Sequence, residues 1–260
     1  MADVIIVVPA RHGSTRFPGK PLAPVRGAGG TEKPLVQRSW EAASRVRDAS
    51  RVIVATDDAR IAAAVRAFGG EAWLTSAQAA NGTERCAEVL AALDREPDLI
   101  INFQGDALLT PPAYVEALIA AADGEAVLTP AVRCDADMRA RLFADAAAGR
   151  IAGTTVVADR DGRALYFSRH LLPHQSEHGP APMLLHLGVY AYPPAALRVY
   201  AAAQASALEL AEGLEQLRFL DIGWPVRVVK VDPPPAGLWE VNNPEDVPLV
   251  EAALAKMGLR

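Results

Sequence analysis

Residues Val4-Ile-Ile-Val-Val8 form an unbroken apolar run with no polar position to turn toward water. A strand of this composition is stable only when both of its faces are covered. Apolar segments of similar length return at 51–55, 99–103 and 126–131. Between them apolar residues recur at helical spacing, which predicts helices over 35–45, 59–68, 84–93 and 112–122. Buried strands alternating with helices imply an α/β fold: a Rossmann-like, doubly wound, mainly parallel sheet with helices on both faces. Ligands of such sheets sit beyond the carboxyl ends of the strands.

After Asp135 the alternation changes. Segments 154–158 and 163–167, separated by Asp159-Arg-Asp-Gly162, predict a hairpin. A strand is expected over 186–192, a helix over 194–204, and a strand returning to the sheet over 226–231. A helix over 208–223 would carry Leu208, Leu210, Leu214, Leu217 and Leu220 on one side. Pro244 stands at the favoured first-turn position of a last helix. We read residues 1–260 as one domain, with 154–205 as a small mixed lobe over the sheet and a region of dimer contact.

Half of the 260 residues are hydrophobic, enough for a full core, and the net charge of −5 argues against a general nucleic-acid binder. No apolar run reaches the length of a membrane span or a signal peptide. The two cysteines, Cys86 and Cys134, lie far apart without metal-type spacing. Reduced thiols in a cytoplasmic protein are therefore expected, with no membrane partner.

The chemistry begins directly after the first apolar run, at Pro9-Ala-Arg-His-Gly-Ser-Thr-Arg-Phe-Pro-Gly-Lys-Pro-Leu22. Arg11, Arg16 and Lys20 gather three cations in one loop, Gly13 and Gly19 allow close backbone approach, and Ser14 and Thr15 add hydroxyls. A triphosphate requires such donors and fixed positive charge. The spacing matches neither the P-loop nor the dinucleotide fingerprint. A solvated basic loop is the plainer alternative. Asp106 follows the run at 99–103, where a doubly wound sheet presents residues to ligand. Mg²⁺ is commonly held by one or two carboxylates with phosphates and water, and Asp106 is placed for this. A loop or helix-capping aspartate fits the same position, and position alone does not separate the two.

The stretch from Pro9 to Leu22 resembles the signature loop of the nucleotide-sugar cytidylyltransferases, in particular their 3-deoxy-manno-octulosonate (Kdo) branch. The resemblance continues, in order, through Ala55-Thr-Asp-Asp58, Asn81-Gly-Thr-Glu-Arg85, Asn102-Phe-Gln-Gly-Asp106 and Ala164-Leu-Tyr-Phe-Ser-Arg169. It runs on through His186-Leu-Gly-Val-Tyr190, Leu214-Glu-Gln-Leu-Arg218 and Asn243-Pro-Glu-Asp246. It implies a nucleotide-diphospho-sugar transferase type of fold. It implies transfer of a cytidylyl group from CTP to Kdo, a 2-keto sugar acid, with release of pyrophosphate, for lipopolysaccharide or capsule synthesis by a homodimer. Ala10, Arg11, Ser14, Lys20, Gly82, Arg85 and Asp106 would then bind CTP, with Arg11, Lys20 and Asp106 catalytic. Gln104, Arg169, His186, Tyr190, Glu215 and Gln216 would contact the sugar acid.

Within that resemblance Arg169 is placed to meet the acceptor carboxylate, although a surface ion pair would look the same in sequence. His186 and Tyr190, four apart in a strand, share one face; a satisfied structural histidine is the plain reading of His186. Glu215, on helical periodicity alone, belongs to a solvated face. No general base is assigned, because phosphoryl transfer rests chiefly on positioning and charge stabilisation. Two departures stand out. Ala107 replaces the family's glutamate, and Asn242 replaces its second metal aspartate, leaving Asn242 or Glu240, two residues away on the same extended face, as the second Mg²⁺ ligand. These departures leave room for an 8-amino-Kdo, another ulosonic acid or a phosphonate as acceptor, and for a non-catalytic nucleotide-binding regulatory relative.

Overall fold

The computed structural model describes residues 2–13, 16–149, 153–174, 182–234, 237 and 240–260. Its first half runs β1 (Val4–Ala10), β2 (Pro24–Arg26), β3 (Glu32–Pro34), α1 (Leu35–Ala43), β4 (Arg51–Thr56), α2 (Ala59–Ala67), β5 (Glu71–Leu74), α3 (Gly82–Ala92), β6 (Leu99–Asn102), α4 (Pro112–Ala121) and β7 (Val127–Arg133). The second half runs α5 (Ala136–Ala147), β8 (Thr154–Ala158), β9 (Ala164–Ser168), β10 (Leu184–His186), β11 (Tyr190–Tyr192), α6 (Pro194–Ala202), α7 (Ala207–Glu212), α8 (Leu217–Asp221), β12 (Val226–Val231) and α9 (Val247–Lys256).

β1 lies between β4 and β6 and is parallel to both, and β5 extends the sheet beyond β4. Alternation along β1 sends Ile5 and Val7 to one face, with Cys86 and Val89 of α3 and Leu197 and Tyr200 of α6. Val4, Ile6 and Val8 point the other way, into Val36 of α1, Ile61 and Val65 of α2, and Val115 and Leu118 of α4. All these side chains are buried. Each contributes about 1.5–3 kcal/mol relative to exposure, so the apolar runs, buried on both sides, anchor the sheet. Side-chain caps start the helices where the strands end: Asp58 accepts from Arg60 N–H before α2, and Asn81 accepts from Glu84 N–H before α3.

β10 and β11 occupy one edge of β7, antiparallel to it, with a register slip of two residues between them. β12 pairs with β7 in parallel along 127–132. β11 also pairs with β6, whereas β10 pairs with β8, and β9 follows β8. The sheet therefore forks at Leu187-Gly188-Val189, just beyond the end of β6. The single strand expected over 186–192 is two short strands for this reason. β8, β9 and β10 continue the main sheet as its antiparallel end. Cys134, Leu142 and Met183 form a small separate cluster there.

The helix expected over 208–223 is two helices. Gly213 adopts the left-handed conformation, φ 64°, and closes α7; α8 begins four residues later. Leu208 and Leu210 are exposed, while Leu214 and Leu217 are buried. Residues 24–34, which carry no strong strand pattern, form the β2–β3 hairpin. It packs on α9 through Val25, Leu35, Val250 and Leu254. α5 and β5 were likewise not apparent in the sequence. Among the described residues no helix is long and apolar enough to cross a membrane.

Candidate active site

The loops beyond the carboxyl ends of β1 and β6 border a cleft of about 1220 Å³. Ala10, Arg11, Lys20, Gly82, Arg85, Gln104, Asp106, Arg169, His186, Tyr190, Glu215, Gln216 and Asn242 all line it. Ser14 lies outside the described residues.

One end of the cleft is built on charge. Lys20 Nζ lies 2.6 Å from Asp106 Oδ2 and 2.8 Å from the Val241 carbonyl, so one ammonium gathers the loops after β1, β6 and β12. The backbone brings Lys20 there through Gly19, whose φ of 71° a glycine adopts freely and whose N–H donates to His12 O. The β6 loop can come as close as it does because residue 105 is glycine: a Cβ there would stand 2.4 Å from the Pro9 carbonyl oxygen. Ser39 Oγ donates to Gly105 O and holds the loop from below. Arg11 is exposed and has no partner among the described residues. Arg16 donates to Asn242 Oδ1 at 3.2 Å.

Glu240 faces this charge centre. Its carboxyl is bonded to the Asn242 side chain, and burial by the cleft walls, followed by repulsion from Asp106, pushes its pKa up to about 7. The residue as a whole is open to the cleft, so Asp106 is the firmer of the two causes. Two opposed carboxylates with an amide oxygen beside them make a hard, all-oxygen donor set. No group of three or more His, Cys, Asp or Glu side chains converges among the described residues. Such a set suits an ion that takes its remaining ligands from phosphate and water.

Beside this end lies the first turn of α3. A Cβ at Gly82 would meet the Asn102 amide at 2.8 Å, so only glycine lets the turn sit against β6. Arg85 is buried, and its guanidinium bonds Asp57 Oδ2 at 2.8 Å, Thr75 Oγ1 at 2.6 Å and Ser76 O. It lines the cleft while committed to holding the β4 and β5 loops. His12 N–H donates to the other oxygen of Asp57.

The opposite end is polar and partly apolar. Gln104 Nε2 donates to Glu215 Oε1 at 3.4 Å, and Glu215 Oε2 accepts the Thr83 N–H at 2.9 Å. Glu215 is thus half-buried at a corner between helices and caps α3, contrary to the solvated role its periodicity suggested; burial raises its pKa. Gln216 is 2% exposed and its Nε2 has no partner among the described residues. His186 is buried, with Nε2 2.9 Å from Thr129 Oγ1, and its ring packs on Phe167 and Tyr190. Burial pushes its pKa down to about 3, which leaves it neutral. Tyr190 stacks on Tyr192, and burial holds its hydroxyl protonated. Arg169 is exposed and donates through Nε to Glu212 O at 2.6 Å and through Nη2 to Gly213 O at 3.0 Å. It clamps the end of α7 at the cleft wall. Sequence reasoning did not find Asp57, Glu209 or Arg218, whose roles depend on partners from distant segments.

A cytidylyltransferase family model matches residues 5–228. A protein of Maricaulis maris named 3-deoxy-manno-octulosonate cytidylyltransferase is 41% identical, covering 98% of this chain and 98% of its own. A Shewanella halifaxensis protein named 8-amino-3,8-dideoxy-manno-octulosonate cytidylyltransferase is 37% identical over 97% of this chain and 99% of its own. Among solved structures, CMP:2-keto-3-deoxy-manno-octonic acid synthetase complexed with CTP superposes with a TM-score of 0.85 at 35% identity. It covers 98% of this chain and all of the other.

The buried His186 makes stability pH-dependent. Between its depressed native pKa of about 3 and the ordinary 6.5, the unfolded chain binds a proton that the folded chain does not. Stability from this residue is therefore present above the unfolded value and is lost as pH falls. Between pH 7 and 5 that loss is about 2 kcal/mol. Denaturant unfolding at both pH values should show His186→Asn losing less stability than the parent by about that amount. Equal losses would mean that His186 is solvated or already protonated.

Proposed function

The chain belongs to the cytidylyltransferase family, and on that premise we propose that it transfers the cytidylyl group of CTP to 3-deoxy-D-manno-octulosonate, yielding CMP-Kdo and pyrophosphate. The observation that carries this reading is the division of one cleft. A cation-and-carboxylate end lies over β1 and β6. An end rich in neutral polar groups, with Arg169 at its wall, lies over the fork of the sheet. The first suits a triphosphate, the second a polyhydroxylated acid.

In this reading the triphosphate lies along the β1 loop, and Arg11, whose guanidinium has no partner among the described residues, offers the phosphates its donors. The anomeric oxygen of the acid attacks the α-phosphorus in line, the bond to the bridging oxygen breaks, and pyrophosphate leaves. Lys20 and Arg11 offset the charge that gathers on the leaving group. Gln104, Glu215 and Gln216 orient the sugar hydroxyls, and Arg169, whose Nη1 has no partner among the described residues, offers a donor to the acid's carboxylate. His186, neutral and bonded to Thr129, serves as a wall and hydrogen-bond partner. Asp106, with Glu240 and Asn242, would hold Mg²⁺, which would supply positive charge to offset that of the phosphates and Lewis-acid assistance to the transfer.

A second reading has the 8-amino-3,8-dideoxy acid as acceptor, favoured by the similar identity to the Shewanella halifaxensis relative. We also read the protein as cytoplasmic, with its product used in lipopolysaccharide or capsule assembly. A homodimer contacting through 154–205 belongs to the same reading, supported by Leu165 of β9, which is 58% exposed.

Two variants divide the cleft. Lys20→Ala should lower kcat by about 100-fold or more. Arg169→Ala should raise the acceptor KM by about tenfold while leaving CTP affinity within about threefold. Steady-state pyrophosphate release and CTP titration check both; an equal loss of the two affinities in Arg169→Ala would place Arg169 on the nucleotide side.

A magnesium titration identifies the second carboxylate. If Glu240 is a ligand beside Asp106, Glu240→Gln should raise the Mg²⁺ concentration for half-maximal rate, and Asn242→Asp should lower it by adding a carboxylate. A titration unmoved by Glu240→Gln would remove Glu240 from the ion's shell.

A further inference from the structure

α7 has an unusual anchor. Glu209 is its one buried residue, whereas Leu208 and Leu210 are 44% and 72% exposed. A short amphipathic helix ordinarily holds its place by an apolar face. This one is held by a charge. Arg218, at the start of α8 and 4% exposed, grips both oxygens of Glu209: Nε to Oε2 at 2.6 Å and Nη2 to Oε1 at 2.7 Å. The same Nη2 reaches Glu84 Oε1 in the first turn of α3 at 3.0 Å, and the guanidinium lies over the Tyr200 ring of α6, 4.0 Å from its centroid. Tyr200 Oη accepts from Asn81 Nδ2 at 2.9 Å, at the cap of α3.

α3 does not need this network to stay in place, because Cys86 and Val89 are locked in the main core and Arg85 is tied to Asp57. The α7 side of the corner buries no apolar side chain and is tied by this network together with the Arg169 clamp on Glu212 and Gly213. That corner, Gly213 to Gln216, carries Glu215 and Gln216 into the cleft.

We propose that Arg218, which does not line the cleft, is a positioning residue for the acceptor half of the site: its fork fixes the α7–α8 corner to α3 and so aims Glu215 and Gln216. The proposal rests on the acceptor reading given above. Two features of the chemistry favour positioning over plain stabilisation. A buried ion network often adds little stability over an apolar replacement of similar volume, which leaves orientation of the α7–α8 corner as the role proposed for it. The arrangement also uses the planar, two-sided fork of arginine, which a lysine ammonium does not reproduce.

The test separates stability from aim. Arg218→Lys keeps the charge and loses the fork; Glu209→Leu/Arg218→Met replaces the pair with apolar groups. We expect both to raise the Kdo KM by about tenfold with the CTP KM within about twofold of the parent. The double variant should keep its thermal midpoint within a few degrees. If the double variant does not fold, Arg218→Lys decides by the same split. An unchanged Kdo KM in either folded variant, or an equal rise in both KM values, would overturn the positioning role. A parent that shows no acid-dependent pyrophosphate release would instead overturn the functional reading, and the proposal with it; that result is read on the parent alone.

Discussion

The contact between Lys20 and Asp106, with Val241 O as a third party, is the constraint around which the cleft is organised. The three groups come from loops after three strands that share one direction, and nothing in the sheet itself would bring the loops together. Lys20 and Asp106 are 15% and 23% exposed, so each would be costly to leave alone. The ammonium also stands where a second carboxylate, Glu240, approaches. Three cations, Arg11, Arg16 and Lys20, thus stand around two carboxylates, and burial and Asp106 push the pKa of Glu240 up to about 7. In the proposed reading a metal ion travelling with a polyphosphate would draw on the two carboxylates, and Arg11 and Arg16 would offset the charge of the phosphates.

The acceptor half depends on a different kind of constraint. The fork at Leu187-Gly188-Val189 opens room beside Gln104: a Cβ at Gly188 would meet Gln104 Cγ at 3.4 Å. The same fork turns His186 and Tyr190 inward as a packed aromatic wall. Opposite stands the corner at Gly213, gripped from outside by Arg169 and from inside by Arg218. One wall of this half is held by sheet pairing and the other by ionic and hydrogen-bond tethers.

The parts legible in the sequence are those decided by local rules. The runs at 4–8, 51–55, 99–103 and 126–131 could be read because a continuous apolar segment has few alternatives to a strand buried on both faces. The β1 loop could be read because its cations and glycines are contiguous. Reasoning failed where a distant partner overrode the local pattern. Leucine spacing through 208–223 looks helical, but Gly213 closes α7 and the leucines before it face solvent. Glu215 looked solvated because its partner, the Thr83 N–H, is 132 residues away. Arg85, assigned to the nucleotide by resemblance, does line the cleft, but its pairing with Asp57 is invisible along the chain. The short β2–β3 hairpin is held mainly by packing on α9, so its own residues carry little strand signal.

The central claim is that one cleft joins a cytidine triphosphate at its charged end to a sugar acid at its polar end. Pyrophosphate release, measured with CTP, UTP, GTP and ATP in turn, each with and without 3-deoxy-D-manno-octulosonate and its 8-amino analogue, tests it most directly. The account predicts release that requires CTP and the octulosonate together, with the other nucleotides slower by at least about a hundredfold. Release that proceeds equally without the acid, or that proceeds as fast with another nucleotide, would contradict it.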